Sequence, residues 1–411
     1  MKVLCFVNVM LPKIAEVLEI EVSPFGGWIV GLTEGLMACD RVEIAVAFPM
    51  RGADKLQTGV AQGLMFFGFP QKTKANFAYD AETEEHIKTI IKDAAPDVIH
   101  VFGTEYPHIL AIVNACEKLG MLDRLVVGIQ GLVSIYAIHY RAGLKKSLLL
   151  RREQNAFLRR GIYEVEALKK VKHVTGRTDW DRACTFKICP EAQYHFCNET
   201  LRDEFYNHSW DIEKCERNTI FLSQAIYPIK GLHYMLEALV EVIKKFPQTH
   251  VYVAGYDITK ANSIKSKLKF GSYEKYIRKF IDKHNLSKHI TFTGQLNKRK
   301  MRERYLSSHA FVSPSSIENS PNSLGEAMLL GLPSISSDVG GVKNMMVHGE
   351  DGYVYQHDAP YMLAYYICKI FSDDKLAAEF SKNAKAHAQD THNRENNLEA
   401  MLAIYRGICE R

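Results

Sequence analysis

Short apolar runs alternating with helical sequence, in two successive series, constrain this chain more than any other feature. Residues 2–8 (KVLCFVN), 42–48 (VEIAVAF), 97–103 (DVIHVFG), 125–130 (LVVGIQ) and 173–177 (HVTGR) read as buried strands, with helical stretches between most of them. That alternation predicts a parallel sheet covered on both faces. Residues 206–217 (YNHSWDIEKCER) are polar and irregular, which suits an interdomain hinge. NTIFLSQ then starts the alternation again, followed by a helix from Leu232 to Phe246 and the strands HVYVAG and HITFTGQ. The chain is therefore read as α/β, with two Rossmann-like domains whose parallel sheets face a central cleft. Its 411 residues suffice for two cores. Ligands on such sheets bind beyond the carboxyl ends of the strands.

The composition excludes several classes. No apolar run approaches the ~20 residues of a membrane span, and MKVLCFVNV reads as a first strand rather than a signal peptide. Nine cysteines at irregular spacings suggest reduced thiols in a cytoplasmic protein. Cys184, Cys189, Cys197 and His195 contain no C-x2-C pair and read as core residues. Asp179 and Asp181 form a D-x-D, but Thr178 before them looks like a helix N-cap, so capping explains both. No metal or cofactor is expected. The G-x-G-x-x-G fingerprint of a dinucleotide site is also missing.

The most informative stretch is Ala310 to Gly341, AFVSPSSIENSPNSLGEAMLLGLPSISSDVGG. It reads as a strand from Ala310 to Ser313, a polar loop, a helix from Pro321 to Leu330 and a strand from Ser334 to Ser337. Ser320 is placed to cap the helix, Pro321 to open it, and Gly331 with Pro333 to end it. A loop entering a helix presents backbone N–H groups to an anion. Glu318 and Glu326 flank that point, about 12 Å apart if the spacing were wholly helical. That is too far for a catalytic pair on one atom, but it suits the two ends of an elongated ligand with a charged middle.

SPSS, E-x7-E and EAMLLGLPSISSDVGG together resemble the glutamate motif of family 4 glycosyltransferases, which are retaining, nucleotide-sugar-dependent enzymes of the GT-B type. The resemblance implies that Glu318 lies by the donor sugar and Glu326 binds the nucleotide ribose. Amides from Asn319 through Ser320, Asn322, Ser323 and Leu324 would face the sugar and diphosphate. It also implies that the Gly26-Gly27 pair faces the donor, that Gly294 lies near the base, and that Lys230 neutralises the diphosphate. The domains follow as an acceptor-binding domain, 1–205, a donor-binding domain, 206–390, and a last helix, 391–411, crossing back to the first. Leu398, Met401, Leu402 and Tyr405 form the apolar stripe of that helix.

The sequence departs from the family in places. Gln130 stands where many relatives have a His; it cannot take a proton near neutral pH and is assigned a positioning role. Gln224 and Ala225 stand where a second cation would fall, with Arg177 as a speculative substitute. Asn198, beside Glu199, and Tyr256 are further candidates to face the cleft.

Residues 141–172 hold ten Lys/Arg and three Glu, interleaved with leucines. An amphipathic basic helix of this kind suits contact with an anionic membrane, at about 1 kcal/mol per basic residue. A solvated helix face explains the pattern equally well. The expected activity is transfer of a sugar from a nucleotide sugar to a glycan or lipid-linked acceptor, in cell-surface glycan biosynthesis at the inner membrane surface. The alternatives are a nucleotide-sugar epimerase and a basic nucleic-acid-binding protein. The second is disfavoured because the positive charge is local and lacks a basic–aromatic pattern.

Overall fold

The computed structural model describes residues 1–21, 27–71, 78–144, 148–260 and 272–410. Its contacts divide the chain into two compact units. The first comprises Met1–Ala137, Asn155–Thr200 and Asn393–Arg411; the second comprises Ile138–Gln154 and Leu201–His392.

The first unit contains β1 (Lys2–Phe6), β2 (Glu43–Arg51), β3 (Gln57–Ala61), β4 (Leu64–Gln71), β5 (Val98–Phe102), β6 (Leu125–Gly128), β7 (His173–Gly176) and β8 (Gln193–Phe196). They form one sheet in the order β3-β4-β2-β1-β5-β6-β7-β8, parallel except for the β3–β4 pair. The two-residue period of a strand sorts β1 between two cores. Val3 and Cys5 enter one apolar cluster, and Leu4 and Phe6 enter the other. The five strands read from sequence are all present. The antiparallel hairpin β3–β4 was not anticipated. Its turn residues Gln62 and Gly63 have φ of 50° and 84°, the left-handed pair that a tight hairpin requires.

The helix Arg394–Cys409 completes the first unit, burying Met401, Leu402, Tyr405 and Ile408 in the same cluster as Val3 and Cys5. Tyr405 Oη lies 2.8 Å from Nδ1 of His100 in β5. Burial pushes His100 down to about 3, so it is a neutral core residue. Cys184 and Cys189 are also core residues, with thiols pushed up to about 11 by burial. Thr178 and Asp181 form the expected capping box of the helix Asp179–Ile188.

The second unit contains β9 (Glu216–Leu222), β10 (His250–Val253), β11 (Ile290–Phe292), β12 (Ser308–Ser313), β13 (Ser334–Ser337) and β14 (Tyr353–Tyr355). They form a wholly parallel sheet in the order β11-β10-β9-β12-β13-β14. Residues 138–154, read from sequence as part of the first domain, belong to this unit. The reason is local: the Ala142 carbonyl accepts from Tyr234 Oη at 2.8 Å and lies 2.9 Å from His233 Nε2. The segment read as a polar hinge is likewise anchored. Trp210 is buried, and its backbone and indole N–H groups donate to Leu330 O and Ser308 O, both at 2.7 Å.

Candidate active site

In the second unit, the loop after β12 meets the turn Pro228–Lys230 through a contact that only glycine permits. Gly231 has φ of 72°, and a Cβ there would lie 1.8 Å from the Pro314 carbonyl oxygen. Ser316 N donates to Ile229 O at 2.8 Å and locks the two loops together. This brings Lys230 Nζ within 2.6 Å of Glu318 Oε1, and Ser315 Oγ donates to the same oxygen at 2.7 Å. The Glu318 backbone is fixed from the other side. Gly340 has φ of 53°, its Cβ position falls 1.7 Å from Glu318 O, and Gly341 N donates to that carbonyl at 3.3 Å. Lys230 and Glu318, 88 residues apart in sequence, are thus neighbours.

The helix begins at Asn322, one residue later than the sequence suggested, with Pro321 as an N-cap that supplies no side-chain bond. The expected cap from Ser320 does not form; its hydroxyl lies 3.3 Å from Met345 Sδ. Gly331, with φ of 74°, ends the helix as expected. Asn319, Ser320 and Leu324 are buried, while Asn322 and Ser323 are half-buried. The start of this helix lacks a side-chain cap and lies a few residues from the Lys230–Glu318 pair.

Glu326 is buried on that helix, and both of its oxygens are occupied. Arg202 Nε and Nη2 each donate to one of them at 2.7 Å, while the guanidinium also packs over Phe205. Burial raises the Glu326 carboxyl above the usual range, and Arg202 pulls it back. Nothing in CNETLRDEFY marks Arg202 as a partner of a residue 124 positions away. Gly294 and Gly255 pair across a short bridge, Gly255 N donating to Gly294 O at 3.0 Å, and Tyr256 beside them is exposed. Gln224 is half-buried just after β9.

In the first unit, Gly26 lies outside the described residues and Gly27 opens the helix Gly27–Met37. Gln130, one of the departures from the family pattern, donates through Nε2 to Glu199 Oε1. Arg177 joins them, with Nη1 2.9 Å from the same oxygen and 3.1 Å from Ile129 O, and Nη2 3.4 Å from Gln130 Oε1. Arg177, expected as a stand-in for a second diphosphate cation, is buried and paired with Glu199 instead. Asn198 and this trio line one small cavity beyond β6 and β7.

Residues 207–387 match the family model described as Glycosyl transferases group 1. Among curated proteins, an uncharacterized glycosyltransferase of Methanocaldococcus jannaschii is 20% identical over 50% of this chain and 48% of its own. Spore coat protein SA of Bacillus subtilis is 24% identical over 43% and 45%. The chain thus spans about half the length of the curated relatives it matches. Two solved structures align over nearly the whole chain. Sucrose-phosphate synthase from Thermosynechococcus elongatus does so with a TM-score of 0.72 at 17% identity, covering 99% of both chains. HepE of Anabaena in complex with UDP and glucose does so with a TM-score of 0.69 at 15% identity, covering 99% of this chain and 100% of that one. Residues 207–387 are therefore similar to a glycosyltransferase group 1 domain, and the chain as a whole has the two-sheet α/β fold of these solved structures.

Proposed function

We propose that this chain is a retaining glycosyltransferase of the family 4 type, moving a sugar from a nucleoside diphosphate to an acceptor hydroxyl. The observation that carries the reading is the Lys230–Glu318 contact beside a helix start with no side-chain cap. Breaking the anomeric C–O bond puts charge on the leaving diphosphate. An ammonium and outward-facing amides meet that charge without a divalent ion. Glu318, gripped by Lys230 and Ser315, is fixed to orient the donor sugar rather than to attack it. Glu326, held flat by Arg202, keeps lone pairs for the two hydroxyls of a ribose.

The UDP and glucose bound to HepE make UDP-glucose the first donor to try. The acceptor is a glycan or its lipid carrier, in cell-surface glycan synthesis at the cytoplasmic face of a membrane. The helix Leu148–Leu168 supports the membrane part of this reading, with Leu158 and Ile162 exposed one turn apart and Arg151, Arg152 and Arg159 also exposed.

The test is a panel of nucleotide sugars screened for protection against thermal unfolding, then for transfer to methyl glycosides with and without chelator. Lys230→Ala should lower turnover at saturating donor by ~100- to 1,000-fold. Near-normal turnover in that variant sinks the diphosphate role. Donor isomerised without any acceptor would point to an epimerase instead.

A further inference from the structure

After the helix Val133–His139 the chain runs as a short strap, residues 138–143, that belongs to the second unit. Its backbone is strained. Ala142 has φ of 47°, in the left-handed region that a residue with a Cβ rarely adopts, and Gly143 follows with φ of 76°. Strain of this kind persists only where the surroundings enforce it, and it gathers at functional sites.

The surroundings hold the Ala142 carbonyl, which accepts from Tyr234 Oη at 2.8 Å and from His233 Nε2 at 2.9 Å. Gly143 permits this approach, since a Cβ there would lie 2.9 Å from Tyr234 Oη. Burial pushes His233 down to about 4, so it is neutral, with its hydrogen on Nε2 and with Nδ1 3.3 Å from Tyr273 Oη. Tyr140 Oη donates to Glu153 Oε2 at 2.8 Å and closes the strap against the start of the helix Leu148–Leu168. The strap also reaches the turn that carries Lys230. Ser316 Oγ donates to His139 O at 3.3 Å, while Ser316 N donates to Ile229 O at 2.8 Å. Lys230 is thus bracketed: Ser316 ties the strap to the residue before it, and Ala142 is tied to His233 and Tyr234 just after it. Ser316, His233 and Tyr234 are all buried, so water does not compete for these bonds. His233 and Tyr234 lie in the first turn of the helix Leu232–Lys245, whose N-cap Gly231 supplies no side-chain bond, and the strap fixes that turn instead.

We propose that residues 138–143 are a positioning element for the Lys230 ammonium, with His233, Tyr234 and Ser316 as positioning residues that act on the transfer step through it. The inference rests on the glycosyl-transfer reading above. Stabilisation of a leaving diphosphate depends on charges fixed in place before the bond breaks. A misplacement of ~1 Å, even from a change far from the chemistry, costs up to ~100-fold in rate. Loss of one of the two donors to Ala142 O frees the turn only in part, so a smaller effect is expected.

The experiment measures kcat at saturating UDP-glucose, KM for methyl glycoside acceptors and stability to urea, all on the full chain. Tyr234→Phe removes one hydroxyl and should lower kcat ~5- to 10-fold, with the acceptor KM within about twofold of wild type. His233→Leu should lower kcat to a similar extent, and His233→Gln, whose amide can donate as the imidazole Nε2 does, should restore most of it. Ser316→Ala repeats the test from the other side of the turn. In a Lys230→Ala background, Tyr234→Phe should change kcat by less than about twofold, because residues that act through one group are not additive. A hydrogen bond that serves stability alone would lower resistance to urea and leave kcat per folded molecule unchanged. Equal fold losses with and without Lys230, or wild-type kcat in both Tyr234→Phe and His233→Leu, would overturn the proposal while leaving glycosyl transfer standing. If no donor in the panel supports transfer by the wild type, the transferase reading fails, and this inference falls with it.

Discussion

Arg202 grips Glu326 through two parallel hydrogen bonds of 2.7 Å, one to each carboxylate oxygen. Such a fork uses one lone pair per oxygen and leaves the others for a vicinal diol. Arg202→Met should therefore weaken UDP binding by ~10-fold or more, and 2′-deoxy-UDP binding by less. Titration calorimetry with both nucleotides checks this. Tighter UDP binding in the variant would mean that Arg202 occupies the ribose position rather than preparing it. The variant should also lose about 3 kcal/mol of stability to urea, because a buried carboxylate is left without its partner.

Gly231 and Gly340 hold the Lys230–Glu318 contact from opposite sides. Alanine at either position brings a Cβ within 1.8 Å or 1.7 Å of a carbonyl oxygen. Each should cost at least ~1–3 kcal/mol of backbone strain and reduce turnover along with stability. Gly63 is the control: it has φ of 84° but nothing within 4 Å of its Cβ position. Gly63→Ala should cost about 1 kcal/mol and leave turnover alone. Equal losses of turnover at all three positions would contradict the contact's role.

The protonation of Glu105, which follows β5 in the first unit, has a signature in stability. Its carboxyl is raised from 4.5 to about 7 in the folded chain, so between those values the folded state binds more protons than the unfolded state. Stability from this group is therefore present below about 4.5 and declines as pH rises to about 7. Glu105→Gln removes the decline. Its melting temperature relative to wild type should climb between pH 5 and 7 and then level off. A difference independent of pH would place Glu105 in an ordinary solvated setting.

The exposed pair Leu158 and Ile162 lies among basic residues on the helix Leu148–Leu168. If this face meets an anionic bilayer, the chain should co-sediment with phosphatidylglycerol vesicles at low salt. Leu158→Asp with Ile162→Asp should abolish that binding while nucleotide affinity stays intact. Each basic residue contributes about 1 kcal/mol near the surface, so Arg159→Glu alone should weaken binding without abolishing it. Sedimentation of the double variant equal to wild type would remove the membrane from the proposal.

The long apolar strands and the β12–β13 segment were legible in the sequence because period and punctuation are local. The expected strand 334–337 is β13 residue for residue. The hairpin β3–β4 was overlooked, although GVAQGLMFF carries its signal as two short apolar runs on either side of a Gln-Gly turn. Ser320 failed as a cap because its hydroxyl reaches Met345, 25 residues further on, and no local pattern encodes that. The same holds for Arg202 with Glu326 and for Asn8 with Glu105, which join positions 124 and 97 apart. Residues 138–154 were assigned by adjacency, whereas a carbonyl at Ala142 that takes side chains from 233 and 234 decides their place. Resemblance supplied Glu318 and Lys230; the geometry that joins them comes from two glycines.

The helix Arg394–Cys409 shares a cluster with Val3 and Cys5 of the first strand. During synthesis that side of the first unit's sheet stays only partly covered until this helix leaves the ribosome, whereas residues 201–392 emerge earlier and can close on themselves. The first-made half is the last to be finished, so a ribosome stalled anywhere between 201 and 392 would present a greasy, half-clad sheet to chaperones and proteases.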